Sequence, residues 1–247
     1  MYLVVPSWVI PGSYLENLKF LEDQPAINGV ELLFFMYDRD VKTLLDTEWT
    51  GIREYERRFT LTAHLPDNLQ PEHEELVARL LPFAKHLIVH PGSPDQGKTQ
   101  GRLLATWAGK YAQSSSTEQP QGKGREPGRF LVENTRSAWF EALLPYLPDE
   151  TGLCMDTGHL LLEGKSPAAF FTHYGNRIRE IHLHGIDREQ AVKDGRLPDH
   201  RSVHPGDAWL RELVPALKAF TGVINLEVFS WEEVLVSINT VKTLGLV

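Results

Sequence analysis

Short apolar runs alternate with amphipathic stretches along the whole chain, eight times over. The apolar runs fall at residues 2–10, 29–36, 59–66, 86–91, 129–135, 151–157, 178–185 and 222–229. Between them lie segments with helical spacing of apolar residues, among them SYLENLKFLED, HEELVARLLPFA, RLLATWAGKYAQ, AWFEALLPYL, SPAAFFTHYG and AWLRELVPALKAF, and WEEVLVSINTVKTLG closes the series. Strand–helix alternation favours parallel strands, because each helix carries the chain back to start the next strand alongside the last. VELLFF and HLIVH are apolar at nearly every position, as when helices cover a sheet. Eight units in 247 residues predict an α/β fold, a single (β/α)8 TIM barrel over residues 1–247. Length alone allows two small domains, but the rhythm never breaks for a boundary.

Residues 114–128, SSSTEQPQGKGREPG, are polar and rich in Gly, Pro and Ser, and are expected to form a loop on the helix-to-strand face. The longest connection on the strand-exit face is 186–205, on the side where barrels carry function. The net charge of −8 argues against long nucleic acid as a partner, since phosphate neutralisation supplies most of that affinity. A small phosphate-bearing or sugar substrate stays open, and so does a homo-oligomer. The sequence holds no run of 18 apolar residues, so no membrane span is expected. The first residues lack a basic segment before an apolar core and are taken as a strand rather than a signal peptide. Cys154 is the single cysteine, which rules out an internal disulfide and makes a reducing cytoplasm the default setting.

Charged residues interrupt the strands where they should end. His64 closes FTLTAH, His90 precedes Pro91 and Gly92, Glu133 lies in FLVENT, and Asp156 with His159 lies in CMDTGH. His182 and His184 share one strand face, and Glu227 ends VINLE. An unpaired carboxylate in an apolar barrel mouth is costly to desolvate. One divalent cation offsets several carboxylates at once. Imidazole with carboxylate suits zinc or manganese, whereas oxygen ligands alone suit magnesium. Other readings stand beside this one. Glu31 either joins the site or forms a structural ion pair, and Cys154 is a packing residue. Trp8, Trp139 and Trp231 serve either substrate stacking or helix packing.

The ordered set of His64, HPG at residues 90–92, ENT at 133–135, DTGH at 156–159, HLH at 182–184 and a final Leu226–Glu227 pair resembles the xylose isomerase-like barrel superfamily. That superfamily includes sugar isomerases, epimerases and the apurinic endonuclease IV group. The epimerase pattern implies one metal held by Glu133, Asp156, His184 and Glu227. The endonuclease pattern implies a metal cluster that adds His64, His90 and His159, with Asp199 and His200 before the seventh helix. The chain departs from it there: Asp199 and His200 are adjacent where that group has Asp-x-His, and His204, Pro205 and Gly206 follow. That departure puts a third metal in doubt. The opening PSWVIPGSYLENLKFL resembles corrinoid-remodelling phosphodiesterases, which cleave the nucleotide loop of cobamides.

The leading expectation is therefore a hydrolase dependent on one or two divalent ions, zinc or manganese, acting on a phosphodiester in a small or nucleotide-like substrate, a cobamide nucleotide loop included. Glu133 and Glu227 would be catalytic. His64, His90, Glu133, Asp156, His159, His184 and Glu227 would ligate metal, and His182, Asp199, His200, Arg201 and His204 would contact substrate. Arg188 and Arg201 either neutralise phosphate or remain solvated. The alternative is a metal-dependent sugar isomerase or epimerase, in which Glu133 and Glu227 move a proton on opposite faces of a ketose. A third reading is a non-catalytic binding barrel.

Overall fold

The computed structural model describes residues 1–112, 128–187 and 198–246. Of the 114–128 loop only Gly128 falls among them, and Arg188 lies outside them. Eight parallel strands close into a barrel in sequence order: β1 (Tyr2–Pro6), β2 (Gly29–Leu33), β3 (Thr60–His64), β4 (Leu87–Val89), β5 (Phe130–Glu133), β6 (Gly152–Asp156), β7 (Ile178–His182) and β8 (Val223–Asn225). β8 pairs with β1 through Val4 and Asn225 and completes the ring. Each strand lies within its predicted segment and ends before it. The exit residues leave the ladder and turn over the barrel mouth.

Around the strands lie α1 (Tyr14–Glu22), α2 (Arg39–Glu54), α3 (Glu74–Leu80), α4 (Gly97–Ala112), α5 (Ser137–Leu143), α6 (Thr157–Leu162), α7 (Pro167–Tyr174), α8 (Ala208–Ala219) and α9 (Trp231–Thr243). Caps fix several helix starts: Ser13 forms a capping box with Glu16 at α1, Asp38 caps α2, and Ser230 caps α9. His159 lies within α6, whose start the Asp156 side chain caps. Among the described residues no helix is long and apolar enough to cross a membrane.

Strand alternation sorts the side chains. One set, including Val30, Leu32, Leu61, Ala63, Val89, Val132, Met155, Ile181 and Leu226, joins the main core with helix residues such as Leu18, Leu45, Trp107 and Leu213. The opposite set points into the barrel. There Ile88, Leu131 and Cys154 make a small separate apolar cluster. The rest of that interior is largely polar and buried: Glu31, Thr62, His64, Glu133, Asp156, Glu180, His182 and Asn225. The sheet thus keeps its apolar face for the helices and sends its polar face inward to the exit end.

Close packing at the strand-entry end has a test. A Cβ on Gly29 would meet the Thr60 carbonyl oxygen at 2.2 Å and Val4 Cγ2 at 2.8 Å. Gly29→Ala should therefore destabilise the barrel by about 1–3 kcal/mol, seen as a lower urea midpoint at unchanged slope. An unaltered midpoint would mean that β1, β2 and β3 are not packed this tightly.

Candidate metal centre

Six consecutive strand exits, β3 to β8, bring their polar side chains to one place. Neighbouring motif residues hold those exits together. Asn134 of the ENT motif donates to the Asp156 carbonyl and accepts from the Asp156 amide, both at 2.9 Å, which clasps β5 to β6. Thr157 of DTGH donates to the carbonyl of His184 at 2.7 Å and accepts from its amide at 3.0 Å, which clasps β6 to β7. Gly158 leaves room for the His184 ring, since a Cβ there would lie 2.0 Å from His184 Cε1. Asp156 divides its work: Oδ1 accepts from the His159 amide at 2.6 Å, and Oδ2 lies 2.9 Å from His184 Nε2.

Four histidines are held from behind at one ring nitrogen and present the other inward. His64 Nδ1 lies 2.9 Å from the Leu65 carbonyl, His90 Nδ1 2.8 Å from Asp67, His182 Nε2 3.3 Å from Glu31, and His200 Nδ1 3.1 Å from Asp199. Such partners fix tautomer and ring plane, as around metal-ligating histidines. On the inner side, Glu133 Oε1 lies 3.3 Å from His90 Nε2 and 3.1 Å from His159 Nδ1. Glu133 Oε2 lies 3.4 Å from His64 Nε2 and 3.2 Å from His182 Nδ1. Glu227 Oε2 lies 3.0 Å from His182 Nδ1, 3.8 Å from His184 Nε2 and 3.7 Å from His200 Nε2.

His64 Nε2 lies 2.9 Å from His90 Nε2, but other atoms of the centre converge without satisfying one another. Glu133 Oε2, His159 Nδ1 and His182 Nδ1 are buried and make no hydrogen bond despite those separations. Buried polar groups normally find partners. The ligand sets that lie within 4.8 Å internally include His64 with His90 and Glu133, Glu133 with Asp156 and His159, and His184 with His200 and Glu227. Mixed imidazole and carboxylate donors around orphaned atoms fit zinc-type divalent ions. The adjacency of Asp199 and His200 does not keep His200 out. It adopts φ 52°, a left-handed conformation that costs a residue with a Cβ about 1–2 kcal/mol. Its ring stacks on His184 at 4.3 Å.

The electrostatics ask for positive charge. Burial pulls His90 down, yet Glu133 and Asp67 carry it up to about 9. Burial acts likewise on His159, but Asp156 and Glu133 carry it to about 10. His182 is also driven well above its ordinary range by the acids around it, against burial. His64 goes the other way, lowered by burial and by His90. Glu133, Asp156 and Glu227 stay below the usual carboxylate range despite burial, because imidazoles surround them. Deeper in the barrel, burial lifts Glu31 to about 7. Its oxygens are held by Asn225 Nδ2 at 2.9 Å and Thr62 Oγ1 at 3.3 Å.

Not every predicted residue joins the centre. Asp199 reaches it only through His200. Arg201 pairs with Glu233 at 2.7 Å on the rim, half exposed. His204 is exposed, its Nε2 3.3 Å from Ser202 Oγ. Trp231 packs edge-on against Phe20, and Trp139 lies under Arg136, whereas Trp8 stands at the mouth beside Phe35. Sequence reasoning missed Asp67, which backs His90, although it stands in HLPD just past the β3 exit. It also missed the clasps made by Asn134 and Thr157, for which only their place beside a ligand gave a signal.

No family model matches the chain. It is 39% identical over 59 residues to inosose dehydratase of Lacticaseibacillus casei, a match spanning 24% of this chain and 19% of that protein. Among solved structures, it is similar to a D-tagatose 3-epimerase-like protein at TM-score 0.63 and 15% identity, covering 99% and 97% of the two chains. It is similar to the IOLI protein with a binding zinc atom at TM-score 0.63 and 17% identity, covering 99% and 96%. An AP endonuclease, family 2, from Brucella melitensis matches at TM-score 0.58 and 13% identity, covering 99% and 98%. These likenesses show the fold alone, the closed (β/α)8 barrel expected from the strand–helix rhythm.

The protonated imidazoles give a stability test. His90 and His159 have folded values of about 9 and about 10, above the ordinary 6.5. Their contribution is complete below about 6.5 and is lost as pH rises through the folded values. The melting temperature of chelator-treated protein should therefore fall between about pH 6.5 and 10. Added zinc should raise it and flatten the decline, since a ligand of the native state stabilises that state. Superimposable curves with and without zinc would count against a metal at this centre.

Proposed function

We propose that the chain is a metal-dependent phosphoester hydrolase acting on a small, nucleotide-like phosphodiester, with more than one divalent ion at the barrel mouth. One observation carries this reading: Glu133 has imidazoles against both carboxylate oxygens, His90 and His159 at Oε1, His64 and His182 at Oε2. Four ligands satisfy one tetrahedral ion, and Glu133, Asp156, His184 and Glu227 already number four. The remaining histidines would hold a second ion, with Glu133 shared between the two. Bound ions would supply Lewis-acid polarisation of the phosphoryl group and a water of lowered pKa. Glu227 would take a proton from the attacking water. His90, His159 and His200 are the less buried imidazoles, 21%, 17% and 21% exposed. They are the first to meet phosphoryl oxygens from solvent. The donor set favours zinc, and the zinc named for the IOLI structure agrees with that choice.

A second reading is a sugar isomerase or epimerase, and the names of the similar proteins favour it over the hydrolase. They include an epimerase-like protein, a 3-keto-D-glucoside 4-epimerase and inosose dehydratase, with an endonuclease among them too. In that reading Glu133 and Glu227 pass a proton to and from carbon, and His64 and His90 hydrogen-bond the sugar.

Metal content separates the two. Protein purified without chelator should carry more than one equivalent of zinc or manganese per chain. His90→Ala should lower that number and slow cleavage of bis-p-nitrophenyl phosphate by at least about tenfold, since even partners behind a ligand cost 10–100-fold. A cobamide is the natural diester to offer alongside it, given the resemblance of the N-terminal strand and turn. A single equivalent unchanged in His90→Ala, with epimerisation of a ketose, would transfer the assignment to the second reading.

A further inference from the structure

The exits of β3 to β8 carry polar ligands, whereas those of β1 and β2 carry aromatics. Trp8 follows Pro6 by two residues and Phe35 follows Leu33 by two, so each continues the inward-facing alternation of its strand. Phe229 stands in the same relation to Glu227 beyond β8. Because β8, β1 and β2 are neighbours in the closed barrel, the three rings belong to one arc of the mouth. That arc touches the centre at both ends. The Phe35 ring lies 4.4 Å from His64 and 6.0 Å from His90, stacked on the latter, and the Phe229 ring lies 4.7 Å from His200. Trp8 meets Phe35 edge-on at 6.4 Å.

The outer members remain open to solvent: Trp8 is 37% and Phe229 40% exposed. The arc offers ring faces more than hydrogen bonds. Ser7, the hydroxyl beside Trp8, is buried and already accepts from the Leu33 amide at 3.2 Å. A flat heteroaromatic ring finds faces of matching shape and polarity.

We propose that Trp8, Phe35 and Phe229 form a stacking subsite for a planar heteroaromatic base, holding the phosphoester attached to it over Glu133 and Glu227. The proposal rests on the hydrolase reading for the phosphoester, and the subsite itself is tested by binding alone. The probes are adenosine 5′-monophosphate and ribose 5-phosphate, which share a sugar phosphate and differ by the base. Titrated calorimetrically into zinc-loaded protein, the nucleotide should bind at least about fivefold more tightly, the lower end of base–aromatic stacking. Trp8→Ala and Phe229→Ala should remove that advantage while leaving zinc content and ribose 5-phosphate affinity unchanged, and Trp8→Phe should restore much of it. The proposal is overturned if the nucleotide does not bind, if the two ligands bind equally, or if the advantage survives both alanine variants. A dimer that dissociates in Trp8→Ala would likewise overturn it, by assigning the arc to a second copy of the chain. Diester cleavage without a base preference would leave the hydrolase standing and remove the subsite; a base preference without cleavage would do the reverse.

Discussion

Buried negative charge organises this barrel. Glu31, Glu133, Asp156, Glu180 and Glu227 are all enclosed by strands, and all lie nearly out of reach of water. Each needs a partner that a packed apolar interior does not supply. The solutions are layered along the barrel axis. Glu180 takes His86 at 2.7 Å, and Glu31 takes Asn225, Thr62 and His182. The three carboxylates at the exit share histidines that are themselves tethered from behind. His182 joins two layers, because one ring nitrogen faces Glu31 and the other faces Glu133 and Glu227. The centre is therefore the top of a polar column rather than an isolated pocket. Its geometry depends on the layer beneath.

The barrel makes such a column affordable because its two sheet faces do different jobs. Helix burial rests on the outward set, in which Val30, Leu32, Val132, Met155 and Ile181 keep an uninterrupted apolar surface. The inward set is free to be polar at little cost to that packing. Ile88, Leu131 and Cys154 form an apolar cluster within it, and Val4, Leu33 and Val223 are buried apolar members as well. Register then does the assembly: Asp156 pairs with His182, Glu133 with Cys154, and His182 with Asn225. Side chains distant in sequence become neighbours through strand pairing alone. Asn134 and Thr157 lock that register at the exits, where ladder bonds have run out.

The fold was legible because its signals are periodic and repeated. Eight apolar runs mark eight strands even though each was drawn longer than its ladder; residues such as Trp8 and Phe35 continue the strand pattern after pairing ends. The ligand positions were legible because a charge inside an apolar run is conspicuous, as with Glu133 in FLVE. What could not be read was orientation. Whether Glu31 joined the site depended on which way β2 faced and on Asn225, far away in sequence. The arrival of His200 depended on one residue in a left-handed conformation, which spacing alone does not reveal. Asp67 looked like an ordinary loop acid because its role requires the position of the His90 ring. Arg201 looked available for phosphate, but its nearest acid, Glu233, lies on a helix that only the tertiary fold brings close.

The mouth that results is asymmetric, and the asymmetry bears on chemistry. Six exits make a centre that attracts cations and, once loaded, oxyanions. The other two, with Phe229, present carbon rings at its border. A substrate uniform in polarity would use only one of these surfaces. One that joins an anionic ester to a flat apolar group would use both, and binding energy from the flat group would then be available to hold the ester in place for reaction. The eight exits are thus divided between a charged arc and an aromatic one, and any substrate that reaches Glu133 and Glu227 must meet both.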